Sequence, residues 1–134
     1  MKETYFLCRL DKRLYDLAVQ DIVTDEVIIT DTQIAHIKHR HPDDYELFQA
    51  YGASMIENPD YIVEANLPFS AMILKEIERD GRKIKLILRL KTSTDPADFK
   101  NSVITFQKIR DREWRRLLRN KKNPAFRCLL WVGT

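Results

Sequence analysis

Apolar and basic residues alternate most clearly in the middle of the chain, and this alternation predicts β-strands. Within 82–91, an aliphatic residue occupies every second position from Ile84 to Leu90, which is the period of a strand with one buried face. A similar apolar-rich run at 71–78 lies across Asp80-Gly81, a dipeptide typical of hairpin turns. Two further strands are predicted at 61–65 and 102–109. These runs together predict a roughly four-stranded antiparallel sheet.

Helical spacing flanks the strand region on both sides. A helix is predicted over 31–41, because Thr30 or Asp31 can cap its first turn and Pro42 disfavours its continuation. The last predicted helix, over 112–122, has one apolar stripe and a basic opposite side. The remaining predicted elements are a helix at 43–56, a helical turn at 12–19 and short strands at 4–10 and 27–29. This order indicates an α+β fold with the helices on one face of an antiparallel sheet.

Length and composition limit the class of protein. The chain has 134 residues and a mass of 15.9 kDa, which fits one domain over 1–134. Its 44% hydrophobic and 32% charged residues exclude a disordered chain, and it has neither an apolar run of membrane-spanning length nor a secretory signal pattern. Cys8 and Cys128 are too few for a disulfide framework, so we expect both to be reduced and buried. We therefore expect a cytoplasmic protein with no membrane association.

Positive charge is concentrated near the end of the chain. The formal net charge is +3, but residues 108–122 contain eight Lys or Arg and two Asp or Glu, a local sum of +6. The strand region 83–91 adds four positive charges and no negative one. Such clustering is what an anionic polymer such as a nucleic acid would attract. A solvated basic face is the alternative interpretation.

All three histidines lie in one short segment, at His36, His39 and His41. On a helix, His36 and Arg40 are one turn apart and project together, whereas His41 falls with the core-facing isoleucines unless Pro42 turns it away. Three interpretations remain open: exposed structural residues, a metal site, or acid–base chemistry at a phosphate. No metal-ligand spacing supports the second. The third fits because histidine titrates in the range that ribonuclease proton transfers need, and arginine matches phosphate geometry.

Four segments then carry a resemblance to a known family. They are ITDTQIAHIKHRHPDDYE, IENPDYIVEAN, LKEIERDGRKIKLILRLKTSTD and KNSVITFQKIRDREWRRLLRNKK. In this order they resemble the phage-associated subgroup of the barnase–EndoU–colicin–RelE-like (BECR) nuclease fold, over about residues 25–122. The resemblance implies N-terminal helices on a four-stranded antiparallel sheet with a C-terminal basic helix, and it implies a ribonuclease.

The resemblance also implies site residues. Its helical His-x3-Arg-His element falls on His36, Arg40 and His41, and its polar strand residues fall on Ser102 and Thr105. These two are on opposite faces of an ideal strand, so we expect at most one of them to meet the helix. Ser102 shares its face with Ile104 and Phe106, which indicates the core side, but the choice between Ser102 and Thr105 stays open. The candidates for a cation on the strands are Lys75 and Arg89. The candidates for phosphate binding on the last helix are Arg112, Arg115, Arg116 and Arg119.

The sequence thus predicts a metal-independent endoribonuclease that cleaves RNA through a 2′,3′-cyclic phosphate, as a toxin or as a phage or mobile-element effector. No metal or organic cofactor is implied, and the expected partners are RNA and either a cognate inhibitor or a phage structural protein. The alternative is a non-catalytic module of the same fold that binds nucleic acid or a phage structural protein. Convergence of His36 and Arg40 with the polar strand residues would favour the enzyme.

Overall fold

A computed structural model describes residues 3–119 and shows an α+β architecture. Its strands are β1 (Thr4–Arg9), β2 (Glu26–Thr30), β3 (Tyr61–Glu64), β4 (Ser70–Glu76), β5 (Lys83–Arg89) and β6 (Asn101–Ile109). Its helices are α1 (Lys12–Tyr15), α2 (Asp31–Arg40), α3 (Pro42–Glu57) and α4 (Asp111–Arg119). The predicted helices and strands are therefore present, whereas Lys121, Lys122 and Cys128 lie outside the described residues.

The strands form one six-stranded mixed sheet in the order β1-β2-β6-β5-β4-β3. Four antiparallel strands and an N-terminal start with helices were predicted, and both details are wrong. The chain begins with β1, which pairs antiparallel with β2, and β2 in turn runs parallel to β6. The parallel contact joins Val27 to Asn101 and Ile28 to Ser102. No local pattern predicts a pairing between segments so far apart in sequence.

The first face of the sheet carries α2 and α3 and the larger core. Ile37 of α2 and Phe48 and Met55 of α3 are buried there with Leu86 and Phe106 of the central strands. The rings of Phe48 and Phe106 meet edge-on with centroids 5.2 Å apart. Each such fully buried side chain contributes about 1.5–3 kcal/mol by removal from water, so this core fixes the two helices against the sheet.

The second face, opposite α2 and α3, carries α4. Trp114 packs there with Leu74 and Ile109, and its ring meets that of Tyr61 with centroids 5.8 Å apart. Leu74 and the core residue Ile73 are neighbours on β4 and therefore point to opposite faces. The prediction that all helices share one face is thus wrong, because the apolar stripe of α4 has its own small cluster to cover.

Other sequence expectations concern single features. The hairpin between β4 and β5 is confirmed, and Gly81 adopts a positive φ of 74° in its turn. Cys8 is buried and free, and burial raises the pKa of its thiol to about 12. Among residues 3–119, no helix has the length and apolar character needed to cross a membrane.

Candidate active site

The end of α2 is shaped by its caps. Thr30 Oγ1 accepts a hydrogen bond from the backbone N–H of Gln33 at 3.2 Å and fixes the start of the helix. At the other end, Pro42 opens α3, and His41 between the helices is extended with φ −152° and ψ 105°. The side chain of His41 is consequently exposed. Of the two positions that the sequence left open for His41, the structure thus has the one in which the break at Pro42 turns the side chain away from the core.

Arg40 connects α2 to the sheet. Its guanidinium Nη1 donates a hydrogen bond to Oε1 of Gln107 on β6 at 3.1 Å. Gln107 is directly opposite Lys85 on β5, and Lys85 Nζ lies 2.8 Å from Oε2 of Glu113 on α4. We call these four side chains, Arg40, Gln107, Lys85 and Glu113, the polar row. It runs from the end of α2 across two strands to α4.

Sequence reasoning missed three members of the polar row. Gln107, Lys85 and Glu113 are polar residues of ordinary type, and none is among the site residues that the resemblance implies. The only signal was alternation along each strand. It places Lys85 on the other face of β5 from the buried Leu86, and it places Gln107 on the same face of β6 as Thr105. That signal gives a face but cannot indicate which helix will meet it.

A register shift in β6 places Ser102 and Thr105 on one face. Thr105 is opposite Ile87 and Ser102 is opposite Arg89, with the shift between Ile87 and Leu88. Directly paired residues share a face, and Ile87 and Arg89 are two residues apart on β5. Both hydroxyls therefore lie on the second face with the polar row, and the prediction that Ser102 lies on the core side is wrong. The extra residue of the bulge changes the alternation.

His36 and His39 lie along a different part of α2. They line an open cavity of about 520 Å³ together with Asp31, Thr32 and Ala35. Both histidines are exposed, and His36 precedes Arg40 by one helical turn. The structure therefore joins Arg40, rather than His36, to the strand that carries Thr105. Within the described part of the chain, no three His, Cys, Asp or Glu residues are grouped so that they could hold a metal ion.

The two predicted strand cations are engaged within the fold. Lys75 Nζ lies 3.3 Å from Oδ1 of Asp60. The Arg89 guanidinium donates to both carboxylate oxygens of Asp95, at 3.1 and 2.9 Å, and to the carbonyl oxygen of Leu90. Hydrogen bonds from Arg89 hold the pKa of the Asp95 carboxyl below its usual range. Neither cation belongs to the polar row.

The basic side of α4 is exposed. Arg112, Arg115, Arg116 and Arg119 all reach solvent on the side of the helix opposite the buried Trp114. A cavity of about 470 Å³ lies where β6 passes into α4. Its lining includes four cations, Lys108, Arg110, Arg112 and Arg116. The sequence had predicted only Arg112 and Arg116 among them as binding residues. This cavity begins one residue after Gln107 on β6.

One comparison with known proteins gives a match. Residues 7–122 match a family model described as phage-Barnase-EndoU-ColicinE5/D-RelE like nuclease2. No curated protein and no solved structure matches the chain significantly. The matched range contains every strand and helix of the structure except the first half of β1, together with the whole polar row.

Proposed function

This chain belongs to the phage-Barnase-EndoU-ColicinE5/D-RelE like nuclease2 family, and from that membership we propose that it is an endoribonuclease. The family description supports nuclease chemistry. The choice of RNA is our proposal, and it rests on histidines that can transfer protons to and from ribose oxygens. We further propose that it acts in the cytoplasm as a toxin or as a phage or mobile-element effector.

The hydrogen bond from Arg40 to Gln107 is the observation that carries the proposal. It brings a permanently charged guanidinium to the strand face that presents the hydroxyls of Thr105 and Ser102. A charged donor beside neutral hydroxyl and amide groups is suited to a phosphate whose charge increases during the reaction. Lys85, in register with Gln107, adds a second cation, in place of the predicted Lys75 or Arg89.

The proposed reaction needs two proton transfers. One imidazole removes the proton of the ribose 2′-hydroxyl, and the resulting oxygen attacks the adjacent phosphorus. The second imidazole donates a proton to the leaving 5′-oxygen, which leaves a 2′,3′-cyclic phosphate and a 5′-hydroxyl. His36 and His41, on either side of Arg40, are the groups we assign to these steps. Arg40 and Lys85 stabilise the phosphorane, Thr105 or Ser102 positions it, and the mechanism uses no metal ion.

We propose that substrate RNA extends from the polar row over α4. Arg112 and Arg116 line the cavity that follows Gln107 along the chain, and Arg115 and Arg119 continue the positive surface. Such contacts bind the phosphate backbone without reading sequence. A cognate inhibitor or a phage structural protein would be the protein partner of such an effector.

A non-catalytic nucleic-acid-binding module is the second candidate. The observation in its favour is the cavity between β6 and α4, whose four cations can bind phosphate without any histidine. His36 lies one helical turn from the polar row and lines a separate cavity. A binding module of this kind would retain RNA and release it uncleaved.

Substitution of Arg40 tests the proposed function. We expect Arg40→Ala to lower the rate of RNA cleavage by about 10²–10³-fold, because it removes one preorganised charged donor to the transition state. The control is Arg79→Ala, which removes another exposed arginine, from the turn between β4 and β5. Cleavage of a mixed RNA pool should be measured at matched thermal stability. Equal rates for the two variants would contradict the assignment of Arg40.

A further inference from the structure

The second face carries an exposed aromatic surface at the end remote from α4. The Arg89 guanidinium carbon lies 5.1 Å from the centroid of the Phe69 ring and 4.9 Å from that of Phe99. Phe69 is 47% exposed, although a phenyl ring gains stability only when it is removed from water. We call Phe69, Arg89 and Phe99 the aromatic platform.

The cation of the platform is fixed and already neutralised. Arg89 makes a bidentate pair with Asp95 and also donates to the Leu90 carbonyl oxygen. Both terminal nitrogens of Arg89 therefore donate to groups within the fold, so Arg89 is poorly suited to a phosphate. The part of the platform that is open to a ligand is the exposed ring of Phe69, beside the half-buried ring of Phe99.

The backbone of Phe69 is held in an unusual conformation. Its φ of 55° lies in the left-handed region, which residues with bulky side chains rarely adopt. The Phe69 carbonyl oxygen accepts a hydrogen bond from the N–H of Leu90 at 2.8 Å, which anchors the turn to the end of β5. The fold thus keeps an apolar ring exposed at a strained position, a combination that often marks a functional site.

The platform continues the surface of the polar row. Arg89 follows Lys85 by four residues on β5, which is about 13 Å along a strand, and both lie on the second face. Ser102, in register with Arg89, and Thr105, in register with Ile87, lie along the neighbouring strand. A short single strand bound at the polar row can therefore reach the platform.

We propose that the aromatic platform is a base-stacking subsite for an unpaired RNA nucleotide that flanks the cleaved phosphate. Stacking on phenylalanine suits this position because every base has a flat π-face, so the subsite tolerates any sequence. It also explains why Arg89 is paired internally, since its role is to fix the two rings. This proposal rests on the proposed function for the identity of the nucleic acid and for the position of the cleaved phosphate.

Binding of a cleavage-resistant RNA tests the subsite. The probe is a fluorescently labelled single-stranded oligonucleotide with 2′-O-methyl riboses, and its affinity is measured by anisotropy. We expect Phe69→Ala to weaken binding about tenfold, because alanine retains the backbone and removes the stacking ring. Leu67→Ala is the matched control, since Leu67 is 48% exposed in the same turn and lies outside the platform. Phe69→Trp should retain affinity.

An abasic scan identifies the stacked nucleotide. One position of the oligonucleotide should weaken binding to the unaltered protein when its base is removed, and have no effect with Phe69→Ala. Equal affinities of Phe69→Ala and Leu67→Ala for the oligonucleotide would overturn the subsite. It would also be overturned if removing the base at each position in turn never changed the affinity of the unaltered protein. Tight, ring-dependent binding by a protein that cleaves no RNA would retain the subsite and remove the nuclease proposal, so the two failures are distinguishable.

Discussion

At the scale of single residues, His36 and His39 form a natural pair for comparison. Both lie on α2, both are exposed, and both line the same cavity. We expect His36→Ala to lower RNA cleavage by about 10²–10⁴-fold, because it removes one proton-transfer group. His39 lies outside the His-x3-Arg-His element, so His39→Ala should leave the cleavage rate unchanged.

Stability measurements separate this effect from unfolding. Neither exposed histidine fills the core, so each substitution should change the free energy of unfolding by less than about 0.5 kcal/mol. Thermal unfolding of both variants supplies the comparison, and cleavage is then measured on one RNA substrate. His41→Ala can now be tested in the same way, since its side chain is exposed. If His36→Ala cleaves as fast as His39→Ala, His36 has no part in the mechanism.

At the scale of elements, α3 contains a glycine where alanine would normally be better. A Cβ atom at Gly52 would lie 2.7 Å from Cδ1 and Cε1 of Phe48. The Phe48 ring is buried and meets Phe106 edge-on, so it has little freedom to move away. We expect Gly52→Ala to lower the free energy of unfolding by about 1 kcal/mol, because overpacking exceeds the gain in helix propensity.

Chemical denaturation measures this prediction directly. Gln49→Ala, at an exposed position of the same helix, should change the free energy of unfolding by less than about 0.5 kcal/mol. A more stable Gly52→Ala protein would show that the Phe48 ring can shift without cost.

The basic side of α4 gives a second prediction at this scale. We expect the double variant Arg115→Ala, Arg116→Ala to reduce the slope of log affinity for single-stranded RNA against log salt, by about 0.7 for each phosphate that the variant no longer neutralises. The matched control is Lys12→Ala with Arg13→Ala, which removes the same charge from exposed positions on α1. Affinity measured at several salt concentrations gives both slopes. Identical slopes would indicate that the side of α4 is only a solvated surface.

Individual elements also show how far the sequence alone could lead. The β4–β5 hairpin and helices α2 and α3 depend on local alternation, caps and Pro42, and these were predictable. The faces of Ser102 and Thr105 were not, because one extra residue in β6 changes the alternation after the register shift. Such a bulge follows from pairing with β5, which the pattern within β6 does not contain.

At the scale of the whole molecule, the site depends on how distant segments meet. In the described part of the chain, β2 and β6 pair at two positions. After β2 the chain leaves the sheet as α2, and Arg40, the last residue of this helix, reaches Gln107. The sequence predicted Arg40 as a site residue, but the other members of the polar row come from β6, β5 and α4. Arg40 thus reaches Gln107 on β6, whereas the convergence of His36 and Arg40 with Ser102 and Thr105 stays a prediction.

The chemical requirements of the whole enzyme follow from a reaction that begins at the ribose. The 2′-hydroxyl is the proposed nucleophile, so RNA should be cleaved to products ending in a 2′,3′-cyclic phosphate, whereas DNA of the same sequence should remain intact. His36 and His41 carry the proton transfers in this scheme and Arg40 supplies the positive charge, so we expect cleavage to continue at the same rate in EDTA. Mass spectrometry of the products and cleavage assays with and without EDTA measure both expectations. Equal cleavage of DNA would require a different nucleophile. Activity that disappears in EDTA and returns with one divalent ion would require a metal-assisted reaction. A variant with Arg40→Ala, assayed beside it, controls for a contaminating ribonuclease, because only cleavage by this protein should fall with that substitution.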